Sequence, residues 1–598
     1  MAASRIALSL GALVALGPLA ACSSEHDQVR RTEVEGVGGA GAQPNAAGLG
    51  GNANALGGAT SGGGATSGGM ATNGGVANTA SGGMNAAGSS TSDDGSLIPS
   101  RIRRLANAEY DASVQALLST QQSPAAGPDF PPDLRQDGFT VNDAQRVDDV
   151  IVERLDDAAL SLASEAESNG TLARLAPCGT SDDPTTCAQN FITTFGAKVY
   201  RRPLVDAEVQ GLESLYTVGA QGATYLDGIA HVTRGLLESA GFLYLTELGD
   251  GPPGTGANVE LTSNEIANAL SYYLTSAPPD DELLAKAQAG ALSDASEREA
   301  QARRLFATVP AAQDTAVRLV REWLGIDDIT DTAKDSIVYP AFNDDKPLIV
   351  AESSDFVRAV AFQSTGMVSE LIGANWTVNS GPLALYQTAG SGPITGSTLI
   401  DRVGILNQAA FLATYANAHE SHPVFRGVAV ARRVVCLPLD SPASFNLQVV
   451  PPAPDPTKTT RERFEAHVVD PICAGCHDII DPFGFSFEHY DGMGGYRAQE
   501  NGQDVDSSVV VNVQADYDGP YADSNAMATA FANSAAVREC FARQMYRAAA
   551  ATGDGAATAG EPEFVQFWQS LPAAAQGNIM ETLIANVKNP SFVMRQSL

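Results

Sequence analysis

Cys473, Cys476 and His477 fall within five positions of one another in the stretch DPICAGCHDIIDPFGFSFEHYDGMGGYR, residues 470–497 of a 598-residue chain with only seven cysteines and seven histidines. Cys-x-x-Cys-His is the spacing of covalent c-type haem attachment. One helical turn offers both thiols to the two vinyl groups of the ring, and the adjacent imidazole reaches the iron as proximal ligand. In a chain of this composition the pattern arises by chance about 0.001 times. A zinc site needs further Cys or His at suitable spacing, and none follows closely. A redox-active Cys-x-x-Cys belongs in a βαβ context, which this region lacks. The motif therefore reads as one covalent haem c on Cys473 and Cys476, with His477 on the iron.

The sixth position of such an iron takes Met, His or nothing. Met493, in the Asp-Gly-Met-Gly-Gly turn sixteen residues after His477, is the first candidate for distal ligand, and His467 the second. Met527 and Met545 lie in helical runs and read as core, and His489 as solvated surface. Arg497 is a candidate partner for a haem propionate, against the alternative of an ordinary surface arginine. Asp481-Pro482-Phe483-Gly484 is expected to end the motif helix, since proline cannot continue a helix and glycine permits a reversal. Phe483, Phe485 and Phe487 would then alternate along an extended arm, walling either the porphyrin or ordinary core. His419 and His422, in AHESHP, complete no metal motif and read as polar loop. No phosphate-binding glycine loop and no hydrolase Ser elbow is present. No catalytic residue is legible.

The elements that must position the motif begin with the N-terminus. Residues 1–22 carry Arg5, an apolar run over 6–16 and the close Leu19-Ala20-Ala21-Cys22, which is a secretory signal ending in a bacterial lipobox. Cys22 is then the lipidated residue, with simple cleavage as the alternative, and its acyl chains would give the only membrane contact. Residues 23–97 read as a Gly/Ala/Ser-rich linker, whose stretch 36–96 is almost without large side chains. Such a tract cannot bury enough apolar surface to offset chain entropy and is expected to be a disordered tether with a reach of roughly 40 Å.

Formal charge is −33, from 69 acidic and 36 basic residues. That balance excludes a nucleic-acid partner, because such binding depends on neutralising phosphates. It reads as a solvated surface, with a basic partner as the alternative.

Apolar spacing predicts helices over 105–118, 150–163, 188–200, 207–218, 225–246, 263–274, 296–306, 314–324, 353–374 and 535–550. The clearest strand is 509–513. Pro/Gly/Asp-rich punctuation suggests helical domains over 98–170, 171–248 and 249–390, a haem-binding region over 391–505 and a C-terminal helical domain over 506–598. The fold class expected is mainly α. Cys178 and Cys187 bracket a polar loop and suit a local disulfide in an exported protein. Cys436 and Cys540 remain for a second bridge, with free buried thiols as the alternative.

Several stretches carry a resemblance along nearly all of 97–598: RRLANAEY (103–110), Phe130-Pro131-Pro132 with Asp137-Gly138-Phe139, Arg201-Arg202-Pro203-Leu204, and Leu270 and Leu274 in ALSYYLTSAPPDDELL. Arg426-Gly427 in SHPVFRG and RERFEAHVVDPICAGCHDIIDPFGFSFEHYDGMGGYR complete the set. Together they resemble a family of exported multidomain proteins that string domains of unknown function before a cytochrome c-like C-terminal part. The resemblance implies a c-type haem protein of the cell envelope, lipid-anchored in the periplasm or at the surface of a Gram-negative-type cell. Binding modules added in some members are not present, so no carbohydrate role follows. Three functions are compatible: an electron carrier with a redox partner protein, a haem-dependent oxidoreductase of peroxidase-like or oxygen-using type, and a structural or binding lipoprotein. One haem motif without a second redox cofactor favours electron transfer.

Overall fold

The computed structural model describes residues 98–252, 254, 256–378, 380, 385–386, 394–395, 402–439, 452–465, 471–551 and 561–597. The signal segment with Cys22, the 23–97 tether and His467 lie outside the described residues. The described chain is mainly α, and its sheets are two-stranded antiparallel pairs. Among the described residues no helix is long and apolar enough to cross a membrane.

Helices Asn107–Leu118, Asp149–Ser168, Pro184–Tyr200, Asp206–Ala220, Ser263–Thr275 and Ala535–Ala550 form where the apolar spacing puts them. Two runs that read as single helices are each interrupted. The first ends as Tyr225–Leu237; Ser239 then caps the short helix Ala240–Leu243, and Tyr244–Glu247 becomes a strand paired with Arg101–Arg104. Local periodicity cannot reveal that pairing, since the partner strand lies over a hundred residues away. The second run divides into Phe342–Gln363 and Val368–Gly373. Gly366 sits between them at φ +72° and donates to the carbonyl of Val360 at 2.9 Å, a left-handed closure that glycine adopts without strain. The expected strand is found at Val509–Val511, antiparallel to Gly519–Tyr521.

Among the described residues two large buried cores result, with a small third cluster of Ala542, Phe564, Phe567 and Leu571. One is built by residues between Leu105 and Leu245 with Tyr272, so elements on both sides of residue 170 share it. The larger runs from Leu261 to Val593, joined by Phe139. Tyr272 fastens them, its hydroxyl lying 2.9 Å from Ser113 Oγ and accepting from Arg201 Nη1 at 2.9 Å. Arg201 also donates to the carbonyls of Gly241, Phe242 and Tyr244. The first arginine of the Arg-Arg-Pro-Leu motif is thus a structural staple. Arg103 and Glu109 of RRLANAEY form a buried two-point ion pair at 2.6 and 2.9 Å.

The far ends of the described chain meet. Strand Met594–Gln596 pairs with Asn258–Glu260, and Ser100 N donates to the carbonyl of Gln596 at 2.7 Å. Glu247 binds both Arg101 (2.9 Å) and Arg595 (2.6 Å). Disulfides join Cys178 to Cys187 and Cys436 to Cys540.

Candidate functional site

Cys473, Cys476 and His477 lie in the first half of helix Pro471–Phe485. Spacings of three and four residues put them on one face. Both cysteines are unbridged and partly exposed. His477 is mostly covered, and its Nδ1 lies 2.8 Å from Asp481 Oδ1 one turn later on the same helix. A carboxylate on Nδ1 fixes the ring orientation and makes Nε2 the nitrogen for a metal.

The helix does not stop at Asp481. It continues through Pro482 to Phe485, and the expected extended arm is absent. Pro482 forfeits one helical N–H, at a cost of about 3 kcal/mol in a helix interior. Asp478, whose carbonyl would have accepted it, is an exposed residue. Phe483 and Phe485 are buried in the larger core, and each contributes about 1.5–3 kcal/mol. Phe483 packs near Tyr517 and Phe531, while Phe487, in the turn that follows, meets Phe411. Burial of the aromatic rings outweighs the proline.

Helix Pro423–Ala429 supports the motif helix from beneath. The two backbones touch: a Cβ on Gly427 would lie 2.1 Å from the carbonyl oxygen of Ile480, and one on Gly484 would lie 2.0 Å from that of Pro423. Only glycine fits at either point. His422 caps the supporting helix by accepting from Phe425 N at 3.1 Å, and it stacks on the Phe425 ring at 3.7 Å. It is a buried capping residue, not the polar loop expected. His419 is exposed and pairs with Asp335.

Arg426 is fully buried and donates to the carbonyls of Leu412, Phe487, Tyr490 and Asp491 at 2.6–3.1 Å. Burial lowers its pKa to about 10, against the opposing pull of Glu488. Its role is to hold the chain reversal after the motif helix. In the turn that follows, Asp491 Oδ1 accepts from the amides of Met493 (2.8 Å) and Gly495 (2.7 Å), and Tyr339 accepts from Gly492 N. Arg402 donates to the carbonyl of Gly494. Met493 is buried in the larger core, as are Met527 and Met545.

Arg497 is occupied by protein groups. Nε donates to the Glu488 carbonyl, Nη1 to Glu500 (2.7 Å), and Nη2 to Glu488 Oε2 (2.9 Å) and Ser421. Burial pushes the Glu488 carboxyl above its ordinary range although Arg497 and Arg426 oppose it. His489 stacks on Tyr496 at the rim. Among the described residues, one trio of His, Cys, Asp and Glu side chains has donor atoms within 4.8 Å: Cys178, Asp182 and Cys187. Its two sulfurs are joined, so it holds no zinc-like set.

Sequence reasoning missed Asp481, which it assigned to a helix stop; its i,i+4 spacing from His477 was the available signal. It also missed Arg426 as an anchor, Arg402, and a buried acid at Glu352, for which no local signal exists.

Four family models match the chain in succession: DUF1587 over 103–167, DUF1595 over 187–247, DUF1592 over 261–387 and DUF1588 over 402–500, each described as a protein of unknown function. Four consecutive stretches of the chain are thus similar to families of unknown-function domains. The DUF1588 segment contains Cys473, Cys476, His477, Met493 and Arg497, and its model carries the name PSCyt3. No curated protein and no solved structure matches the chain.

Proposed function

We propose that the chain is an exported c-type haem protein whose DUF1588 segment carries one covalent haem and passes single electrons to a partner protein of the cell envelope. The observation that carries this reading is the donor set on helix Pro471–Phe485: two unbridged thiols and an imidazole on one face, with the imidazole Nδ1 held by Asp481. The donor chemistry fits the group, for the thiols are the atoms that form thioethers and Nε2 of His477 is the nitrogen for iron. The haem would supply a one-electron couple; the chain's residues orient and shield it. Asp481 fixes the His477 ring, and Gly427 and Gly484 let the supporting helix approach. Met493 is proposed as the distal ligand, with His467 as the alternative. The name PSCyt3 and the two disulfides agree with a cytochrome-like, exported protein, and we propose lipidation at Cys22 as its anchor.

The test is covalent haem staining after export in a host with a haem-attachment system. Wild type is expected to stain on a denaturing gel and Cys473→Ser with Cys476→Ser to lose the stain. Stain retained in the double variant, or absent from correctly exported wild type, overturns the proposal. Replacing Met493 is expected to alter the haem spectrum; an unchanged spectrum would exclude it as ligand.

A further inference from the structure

A second cluster of polar groups lies in the seam between the DUF1592 and DUF1588 segments. Glu352 projects from helix Phe342–Gln363 and is completely buried. Its Oε1 accepts from Thr377 Oγ1 at 2.8 Å and its Oε2 from the Tyr386 hydroxyl. No cation forms an ion pair with it among the described residues. The nearest positive charge is Arg402, whose guanidinium lies over the Tyr386 ring at 4.2 Å and the Tyr490 ring at 4.9 Å. That guanidinium spends its hydrogen bonds on backbone: Nη1 donates to the carbonyl of Asn407 at 2.6 Å and Nη2 to the carbonyl of Gly494.

Glu352, Thr377, Tyr386 and Arg402 line a small half-enclosed cavity together with Trp376 and Gln408. Gln408 is 4 % exposed; its amide donates to Thr377 Oγ1 at 3.0 Å, and its Oε1 has no partner among the described residues. A buried acceptor without a donor is unfavourable in a dry site and is met by water where room exists. The cavity has room for about one water molecule. Thr377 and Tyr386 of the DUF1592 segment thus bind one buried carboxyl, and from the DUF1588 segment Gln408 donates to Thr377 while Arg402 lies over the Tyr386 ring.

We propose that the seam cavity is a proton-exchange site, in which water bound to Gln408 carries a proton between solvent and Glu352, and Arg402 transmits the resulting charge to the 491–495 turn. In the release step the O–H bond of the carboxyl breaks, its electron pair stays on Glu352, and the proton leaves on water to solvent. Uptake is the reverse. The charge reaches the turn because Arg402 has two competing demands. Against a neutral Glu352 it is held by the Asn407 and Gly494 carbonyls. Against an ionised Glu352 it is drawn towards the carboxylate, which weakens its hold on Gly494. Among the described residues the charged and titratable groups acting on the carboxyl are Tyr386 and Arg402, while Thr377 and Gln408 are neutral. Burial pushes the Glu352 pKa up to about 7, and the hydrogen bonds from Tyr386 and Thr377 and the charge of Arg402 act in the opposite sense.

The proposal stands apart from the haem reading, and its test reads the polypeptide. Infrared difference spectra and amide hydrogen exchange are recorded on the full chain between about pH 5.5 and 8.5. Wild type is expected to lose a buried protonated-carboxyl band with a midpoint near 7. Exchange at 491–495, corrected for its intrinsic pH dependence, is expected to rise about fivefold or more over the same range. Glu352→Gln should abolish the band and flatten the exchange profile. Arg402→Gln should keep the band and flatten the profile. Tyr386→Phe removes a hydrogen bond to the charged form and should raise the midpoint, which tests the site even where Glu352→Gln fails to fold. A band that survives Glu352→Gln, a midpoint unmoved by Tyr386→Phe, or an exchange profile unchanged in Arg402→Gln would overturn the proposal.

Discussion

Asp481 has the most consequential position of any single residue near the motif, because it meets the imidazole on the side away from a metal. An anionic partner makes a histidine ligand more electron-rich and favours the oxidised metal. Asp481→Asn is expected to keep covalent attachment and to raise the reduction potential of the haem-loaded protein by roughly tens of millivolts, measured by redox titration. Glu352 gives a second prediction at this scale. Its pKa is raised from 4.5 to about 7, so the folded state holds its proton more tightly than the unfolded chain. The stabilisation is complete below about pH 4.5 and is lost as pH rises towards 7, an amount of about 3 kcal/mol. Denaturation midpoints of wild type should therefore fall over that window relative to those of Glu352→Gln, whose amide does not titrate. Asp481 was readable as an i,i+4 partner of His477 on the motif helix, whereas Glu352 looks like any helical glutamate until its neighbours are assembled.

Among elements, the pairing of helix Pro423–Ala429 with helix Pro471–Phe485 decides how the motif is presented. Their contact depends on two missing side chains, at Gly427 and Gly484. Gly427→Ala or Gly484→Ala would force apart backbones whose separation admits no methyl group, at a cost of about 3 kcal/mol or more. Urea denaturation should show the loss, with Gly475→Ala, where the added Cβ meets nothing within 4 Å, close to neutral. The sequence displayed the helices themselves because each buries an apolar stripe with its own period. Their ends were less legible. Proline at 482 is a local stop signal, but Phe483 and Phe485 are buried by distant elements, and that burial settles the matter. The break after Leu237 had the opposite origin, since a strand at Arg101–Arg104 captures Tyr244–Glu247.

At the scale of the whole molecule the two ends of the described chain are clasped through Glu247. Burial alone would raise the pKa of this carboxyl, yet Arg101 and Arg595 together hold it well below the ordinary carboxylate range. Its contribution is thus complete above about 4.5 and is lost as pH falls through the lowered folded value. Glu247→Gln leaves two buried arginines short of their counter-charge and is expected to cost about 3–5 kcal/mol at neutral pH. The denaturation midpoint checks the cost, and the acid limb of the stability profile should become shallower in the variant. The disulfide between Cys436 and Cys540 adds a second long-range tie, bringing the segment before the motif to helix Ala535–Ala550.

By itself the sequence determined the mainly helical class, the local Cys178–Cys187 pairing and the grouping of Cys473, Cys476 and His477, because each depends on residues close in the chain, whereas the Cys436–Cys540 bridge, 104 residues apart, was left open until the elements packed. Tertiary structure alone decided that the motif helix runs through Pro482 and that Arg497 is taken by Glu488 and Ser421. It also brought Glu352, Tyr386, Arg402 and Gln408 around one cavity. Those outcomes depend on burial and on charges meeting across long chain separations. Such energies do not exist until the elements pack, so no local pattern carries them.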